Sequence, residues 1–132
     1  MRPAVGGLFA AGLILLLAGA ANLAGAQGSA GDSVKGAAVF DERCSACHSL
    51  TDNLQGPHLG GVVGRKAGSV PGVDYTDAMK AAGIVWTADK LDVFLTGPSK
   101  LVPGTAMPMT VPDPVERRDL IAYLASTSAT GQ

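Results

Sequence analysis

The two cysteines of the chain lie close together, with a histidine directly after the second, in the stretch Cys44-Ser45-Ala46-Cys47-His48. Two thiols at this spacing match the two vinyl groups of a haem, and a histidine that follows them lies where it can bind the iron. The stretch therefore predicts one haem c, covalently attached through Cys44 and Cys47, with His48 as an axial iron ligand.

Other uses of the same side chains must be weighed against the haem. The two thiols can form a redox-active dithiol–disulfide couple, but that chemistry is typical of a βαβ pattern, which this sequence lacks. Cys44, Cys47, His48 and His58 have the right residue types for zinc. Their spacing is poor, because His48 directly follows Cys47 and no second ligand pair lies about a dozen residues away. The dithiol couple would also leave His48 without a specific role, and a plain disulfide between Cys44 and Cys47 is the remaining alternative.

An iron bound by His48 has a second axial position. Candidates for it are His58, Met79, Met107 and Met109. Met107 follows Pro103 and precedes Pro108, and these prolines restrict the backbone while Gly104 permits a tight turn. A stiff, non-helical loop can hold a weak thioether ligand, so we predict His48 and Met107 as the metal ligands, with Met109 as the main rival.

Ligation by histidine and methionine has consequences for function. A thioether ligand raises the reduction potential relative to two histidines, because sulfur favours ferrous iron. An iron with both axial positions filled has no open position for a substrate. The ligand set therefore favours electron transfer over catalysis. The rival within haem proteins is a site from which Met107 dissociates so that a small ligand or peroxide binds.

The amino terminus has the features of a secretory signal peptide. Arg2 supplies positive charge, residues 8–21 are apolar and uncharged, and Ala24-Gly25-Ala26 forms a small-x-small cleavage pattern. We predict a signal peptide at residues 1–26, export to the periplasm, and a domain at 27–132 without stable membrane insertion. A retained anchor is the alternative, but the apolar run is shorter than the roughly 20 residues that a span needs.

The rest of the chain predicts short helices joined by long loops. Expected helices run from Asp32 or Ser33 to Arg43, from Thr76 to Ala82, from Thr87 to Gly97-Pro98, and onwards from Asp113, whose cap Glu116 can reinforce. Residues 49–74 and 100–112 are rich in glycine and proline and have no clear periodicity. With aromatic residues at 5%, such a chain fills its core poorly, and a buried prosthetic group would supply the missing apolar surface.

These residues occur in segments that together resemble the class I c-type cytochromes, including mitochondrial cytochrome c and its bacterial periplasmic relatives. The segments are residues 31–48, 56–86, 101–108 and 117–124. The resemblance implies an all-α, small cytochrome c fold with short helices and long loops wrapped around one haem. It also implies a soluble single-haem electron carrier that is not an enzyme. The first helix, through Gly36 and Phe40, is expected to cross the last helix near Leu120 and Tyr123.

The resemblance further implies contacts to the haem. The carbonyl of Pro57 would accept a hydrogen bond from the ring of His48, and such bonds fix the ring of a metal ligand. Residues that match positions near the haem propionates are Arg65, Tyr75, Trp86 and Thr105. A buried carboxylate needs donors or a counter-charge, which these side chains can supply.

Departures from the mitochondrial pattern affect the pocket and the partners. His58 replaces an asparagine and is interpreted as a loop residue, while Met79, Phe94 and Met109 remove polar or aromatic groups near the haem. The lysines are Lys35, Lys66, Lys80, Lys90 and Lys100. The net charge of −1 is not that of a nucleic-acid binder. We expect a monomer whose redox partner proteins, of unknown identity, are recognised with less charge steering than in the mitochondrial family.

Overall fold

The computed structural model describes residues 30–128, so the predicted signal peptide lies outside the described residues. The helices are α1 (Ser33–Arg43), α2 (Asp77–Ala81), α3 (Ala88–Thr96), α4 (Pro98–Leu101) and α5 (Pro114–Ser128). Residues 30–128 contain no strand, and only an isolated bridge pairs Lys66 with Val85. None of the helices in this part of the chain is long and apolar enough to cross a membrane. The predicted all-α fold class is confirmed.

Helix α1 begins where the capping residue predicted it. The carboxylate of Asp32 accepts hydrogen bonds from the amides of Val34 and Lys35 at 3.0 and 3.2 Å. These bonds, that from Lys35 foremost, lower the pKa of the Asp32 carboxyl. The Asp32 amide in turn donates to Oδ1 of Asp119 in α5 at 2.9 Å. The start of the first helix is thus attached to the last helix.

Helices α3 and α5 also begin at their predicted caps, and α2 begins after Thr76, which was predicted as its first residue and caps it. Thr76 and Thr87 accept from amides in the first turns of α2 and α3, and Asp113 accepts from the amide of Val115 at 2.7 Å. The prediction that Glu116 reinforces the Asp113 cap is wrong, because the Glu116 carboxylate pairs with Arg43 of α1 at 2.8 Å. A tertiary ion pair takes the place of the local capping bond.

Helix α4 was not predicted, since Pro98 was interpreted only as the end of α3. Pro98 instead occupies the first position of a single helical turn, where its missing N–H costs nothing. The amides of Lys100 and Val102 bond back to Gly97 and Pro98 at 2.9 Å each. The proline that ends α3 therefore begins the next turn of helix, and the loop starts later than residue 100.

Helices α1 and α5 cross at very close range. A Cβ at Gly36 would overlap the carbonyl of Asp119, lying 2.6 Å from its carbon, and would be 2.8 Å from Cβ of Tyr123. One turn further along, the rings of Phe40 and Tyr123 meet edge to face with centroids 5.8 Å apart. The predicted crossing of the first and last helices is confirmed.

Residues 49–74 form an ordered loop that is held by backbone hydrogen bonds to residues far along the chain. The amide of Gly64 donates to the carbonyl of Trp86 at 2.7 Å, and the amide of Trp86 donates to Arg65 at 2.9 Å. A further bond joins Ala67 to Ile84 at 2.8 Å. Because the loop forms no helix or strand, its backbone N–H and C=O groups need partners elsewhere, and these bonds supply them. The bonds also shape one wall of the site described next.

Candidate haem-binding site

The end of α1 presents both cysteines and the histidine to one cavity. The amide of Cys44 still bonds to the carbonyl of Phe40 at 2.8 Å, as the cap of the helix. The amides of Cys47 and His48 then bond to the carbonyl of Cys44 at 3.1 and 2.9 Å. This tight turn brings Cys44, Cys47 and His48 to the same cavity wall.

The thiol of Cys44 does not have the lowered pKa that is typical of a redox-active cysteine. Both cysteines are free, and burial raises the pKa of Cys44 to about 11. Redox-active thiols have lowered pKa values, because the thiolate is the nucleophile. Within residues 30–128, no three or more His, Cys, Asp or Glu side chains are placed to hold a metal ion. The dithiol and zinc alternatives therefore have no support in the geometry.

The ring of His48 is held from two sides. Its Nδ1 lies 2.8 Å from the carbonyl oxygen of Pro57, so that nitrogen carries the proton and Nε2 is left to bind a metal. Gly56 lies against the ring, and a Cβ there would be 2.8 Å from Nδ1 and 3.0 Å from Nε2. The importance of Gly56 was missed from the sequence, although its Gly-Pro pair marks a turn.

The cavity has a volume of about 560 Å³, within the roughly 300–1,000 Å³ of typical cofactor sites. All of the predicted cofactor-binding residues line it: Cys44, Cys47, His48, Pro57, Arg65, Tyr75, Trp86, Thr105 and Met107. Apolar side chains that the sequence did not single out as site residues complete the wall, among them Leu59, Val62, Leu91, Leu95, Val111, Leu120 and Leu124. Their common position around one cavity depends on the fold.

The positions of the candidate side chains exclude one of them as the second axial ligand but do not choose among the others. Met79, Met107 and Met109 all line the cavity. His58 does not, and its Nδ1 lies 3.0 Å from Oδ1 of Asn53 in the loop. Geometry therefore favours a methionine over His58, in agreement with the interpretation of His58 as a loop residue.

Arg65 provides a test of whether the cavity suits a haem. Its guanidinium donates to the carbonyls of Gly60, at 3.1 Å, and His58. Burial lowers its pKa, and no carboxylate among residues 30–128 lies within ion-pair distance of it. A half-buried cation without a counter-charge in a cavity wall suits an anionic ligand such as a haem propionate.

The other predicted propionate contacts are arranged differently. The hydroxyl of Tyr75 accepts from the amide of Val70 at 3.3 Å, which leaves its own proton free to donate. Oγ1 of Thr105 likewise accepts from the amide of Met107 at 3.3 Å. Trp86 is buried and packs against Phe94 with ring centroids 4.9 Å apart. The fold and the cavity together are those expected of an α-helical protein that holds one covalently attached haem.

Comparisons with known proteins agree with this class. The sequence profile of the cytochrome c family matches residues 33–128. Cytochrome c of Tetrahymena pyriformis is 49% identical over 98 residues, which cover 73% of this chain and 89% of the relative. Cytochrome c2 of Agrobacterium tumefaciens is 43% identical over 107 residues, covering 76% and 96% of the two chains. The chain belongs to the cytochrome c family.

A solved structure supports the same assignment. Cytochrome cH from Methylobacterium extorquens matches with a TM-score of 0.69 and 42% identity, over 73% of this chain and 99% of that one. The protein is a single-haem electron carrier with one haem c, attached through Cys44 and Cys47. Members of the family are carriers rather than enzymes and act with redox partner proteins.

Proposed function

We propose that this carrier is exported and transfers one electron at a time between redox partners, with its iron bound by His48 and Met107. The observation that carries the His48 assignment is that Pro57 accepts a hydrogen bond from Nδ1, which leaves Nε2 to bind the iron in the cavity that Met107 also lines. The proline-restricted loop around Met107 favours it over Met79 and Met109, which line the same cavity. The signal-peptide features of residues 1–26 support export. A bound haem supplies the ferric–ferrous couple.

The side chains of the cavity prepare it for electron transfer. Nε2 of His48 and the thioether of Met107 are the proposed iron ligands. The buried walls, with Trp86 and Phe94 at 8% and 6% exposure, exclude water from the cavity. Arg65 is the proposed counter-charge for a propionate, and Tyr75, Trp86 and Thr105 are its proposed neighbours. With both axial positions filled, the site has no place for a substrate.

We further propose that partners dock against an uncharged surface at the mouth of the cavity. Residues 101–112 contain no Asp, Glu, Lys or Arg, and Met109 in this segment is 46% exposed while also lining the cavity. Apolar contact depends little on salt, whereas charge steering weakens as salt screens it. Of the charged residues that line the cavity, Arg43 is paired with Glu116 and Arg65 is the proposed counter-charge of a propionate. The remaining two, Lys66 and Asp74, have opposite charges and favour no single sign of partner.

Visible absorption spectra of the exported protein, oxidised and then reduced with dithionite, test the ligand assignment. We expect sharp reduced bands of a low-spin haem c and the weak far-red band of methionine-bound ferric iron. Met107→Ala is expected to abolish the far-red band, whereas Met79→Leu and Met109→Leu keep it. Retention of the band in Met107→Ala would assign another methionine, and its absence from the unsubstituted protein would rule out methionine ligation.

A further inference from the structure

Residues 102–113, between α4 and α5, form the loop that carries Met107, here called the methionine loop. Arg117 lies where α5, α3 and the end of the methionine loop meet. Its Nε donates to Oδ1 of Asp92 in α3 at 2.8 Å. Its Nη1 donates to the carbonyls of Val111 and Pro112 at 2.9 and 2.8 Å. The side chain is only 11% exposed. One guanidinium thus joins two helices to the last residues of the loop.

The loop that carries Met107 has few other attachments. On the amino-terminal side of Met107, the amide of Thr105 bonds to Val102 at 3.0 Å. On the other side, the first attachment is at Val111, whose amide donates to the carbonyl of Leu95 at 2.8 Å. Residues 108–110 make no hydrogen bond to the described part of the chain. On the carboxyl-terminal side of Met107, the hydrogen bonds that restrain the loop are therefore those of Val111 and Pro112.

We propose that Arg117 is a positioning residue that keeps Met107 at the cavity by fixing the carbonyls of Val111 and Pro112. This inference rests on the proposed ligation by Met107. Val111 is buried, at 3% exposure, and lines the same cavity as Met107. Because a thioether is a weak ligand, any freedom at the end of this short loop allows Met107 to leave the iron more often.

The fork of the guanidinium explains why an arginine is needed. Its planar donors reach Asp92 on one edge and two carbonyls on another, a pattern that a lysine ammonium cannot span. Arg117→Lys therefore keeps the charge but loses part of the hydrogen-bond set. Arg118→Lys is the matched control, because Arg118 is the next residue of α5, is 45% exposed, and lies 3.9 Å from its carboxylate neighbour, Asp119.

Imidazole binding to the ferric holoprotein measures how often Met107 leaves. At saturating imidazole the rate is limited by dissociation of the methionine. We expect this rate to rise about tenfold in Arg117→Lys, equivalent to about 1.4 kcal/mol, and to stay within about twofold in Arg118→Lys. The rate should depend only weakly on urea, since a local opening exposes little surface. Global unfolding, followed by the fluorescence of Trp86, should depend steeply on urea.

Each outcome decides whether Arg117 positions Met107 through the carbonyls of Val111 and Pro112, here called the clamp, or only contributes to the packing of the helices. Equal imidazole rates in Arg117→Lys and the unsubstituted protein, with the far-red band present, would overturn the clamp and leave the ligation intact. A rise that shares the steep urea dependence of unfolding would assign Arg117 to helix packing alone. Absence of the band from the unsubstituted protein would overturn the ligand assignment and the clamp together.

A second variant tests the clamp if Arg117→Lys does not fold. Asp92→Ala removes the carboxylate that accepts from Nε but leaves both carbonyl bonds in place, and Asp92 is already 48% exposed. We expect the imidazole rate of this variant to rise about threefold, because the guanidinium is held less firmly. An unchanged rate would contradict the clamp, since the fork would then need no support from α3.

Discussion

The backbone of Gly56 touches the ring of His48 so closely that no larger residue fits without a shift. A Cβ at Gly56 would lie 2.8 Å from Nδ1 and 3.0 Å from Nε2 of the ring, closer than van der Waals contact allows. The next residue, Pro57, accepts the hydrogen bond from Nδ1. Two consecutive residues thus determine the position and the orientation of the proposed iron ligand.

Gly56→Ala should therefore disturb the haem ligand as well as stability. We expect a loss of about 1–3 kcal/mol in the free energy of unfolding, as for overpacked sites, together with altered haem absorption bands. Gly61→Ala is the control, because a Cβ there has open space although its φ of 72° is unfavourable for alanine. The control should lose stability without a change in the spectrum. Identical spectra for both variants would contradict steric pressure on His48.

Gly36→Ala should separate the first and last helices. The new methyl group meets the backbone of Asp119 and Cβ of Tyr123, neither of which can rotate away, so we expect a loss of about 3 kcal/mol or more in urea unfolding. Val34→Ala, at a residue of α1 that is 80% exposed, should change stability by less than about 0.5 kcal/mol. Similar midpoints for the two variants would show that the helices can move apart at little cost.

Asp32 should make stability depend on pH in the acid range. Hydrogen bonds from the α1 amides lower its folded pKa below the ordinary value of 3.8. Its contribution is therefore fully present above that value and is lost as the pH falls through the folded pKa. Asp32→Asn keeps a capping oxygen but cannot titrate there. Thermal unfolding from pH 7 downwards should show a smaller acid loss in the variant than in the unsubstituted protein; parallel curves would contradict this role.

Met109 should border the surface through which electrons leave. Electron self-exchange brings two copies together, and nuclear magnetic resonance line broadening measures its rate. Met109→Lys should slow self-exchange at low salt, since like charges would then meet, and added salt should restore the rate. Met109→Leu, which keeps the apolar surface, should exchange as the unsubstituted protein does. A salt-independent rate in Met109→Lys would place the contact surface elsewhere.

The chain should not fold without its haem. The cavity of about 560 Å³ lies among the same apolar side chains that form the core, so an empty protein would lose much of its packing. A Cys44→Ala, Cys47→Ala protein made without haem should give little helical signal in far-ultraviolet circular dichroism and no cooperative melt. The haem-bound protein measured alongside is the control. Native-like helicity with a cooperative melt in the haem-free chain would refute this expectation.

Features that depend on neighbouring residues were determined by the sequence alone. The spacing of Cys44, Cys47 and His48 predicts covalent haem attachment because that chemistry is local. The capping side chains of Asp32, Thr87 and Asp113 bond to amides two or three residues away, so the helix starts could be predicted. The crossing of α1 and α5 was also predicted before the structure, but from resemblance to a family and not from periodicity.

Features that depend on distant residues were decided only by the tertiary structure. The loop at 49–74 is ordered by bonds to Ile84 and Trp86, and no local pattern reports such pairings. Glu116 has the spacing of a capping residue but finds Arg43 instead, because folding brings a charged partner within reach. Arg117 drew no notice as a single charged residue; its role follows from the meeting of α3, α5 and the methionine loop around one guanidinium.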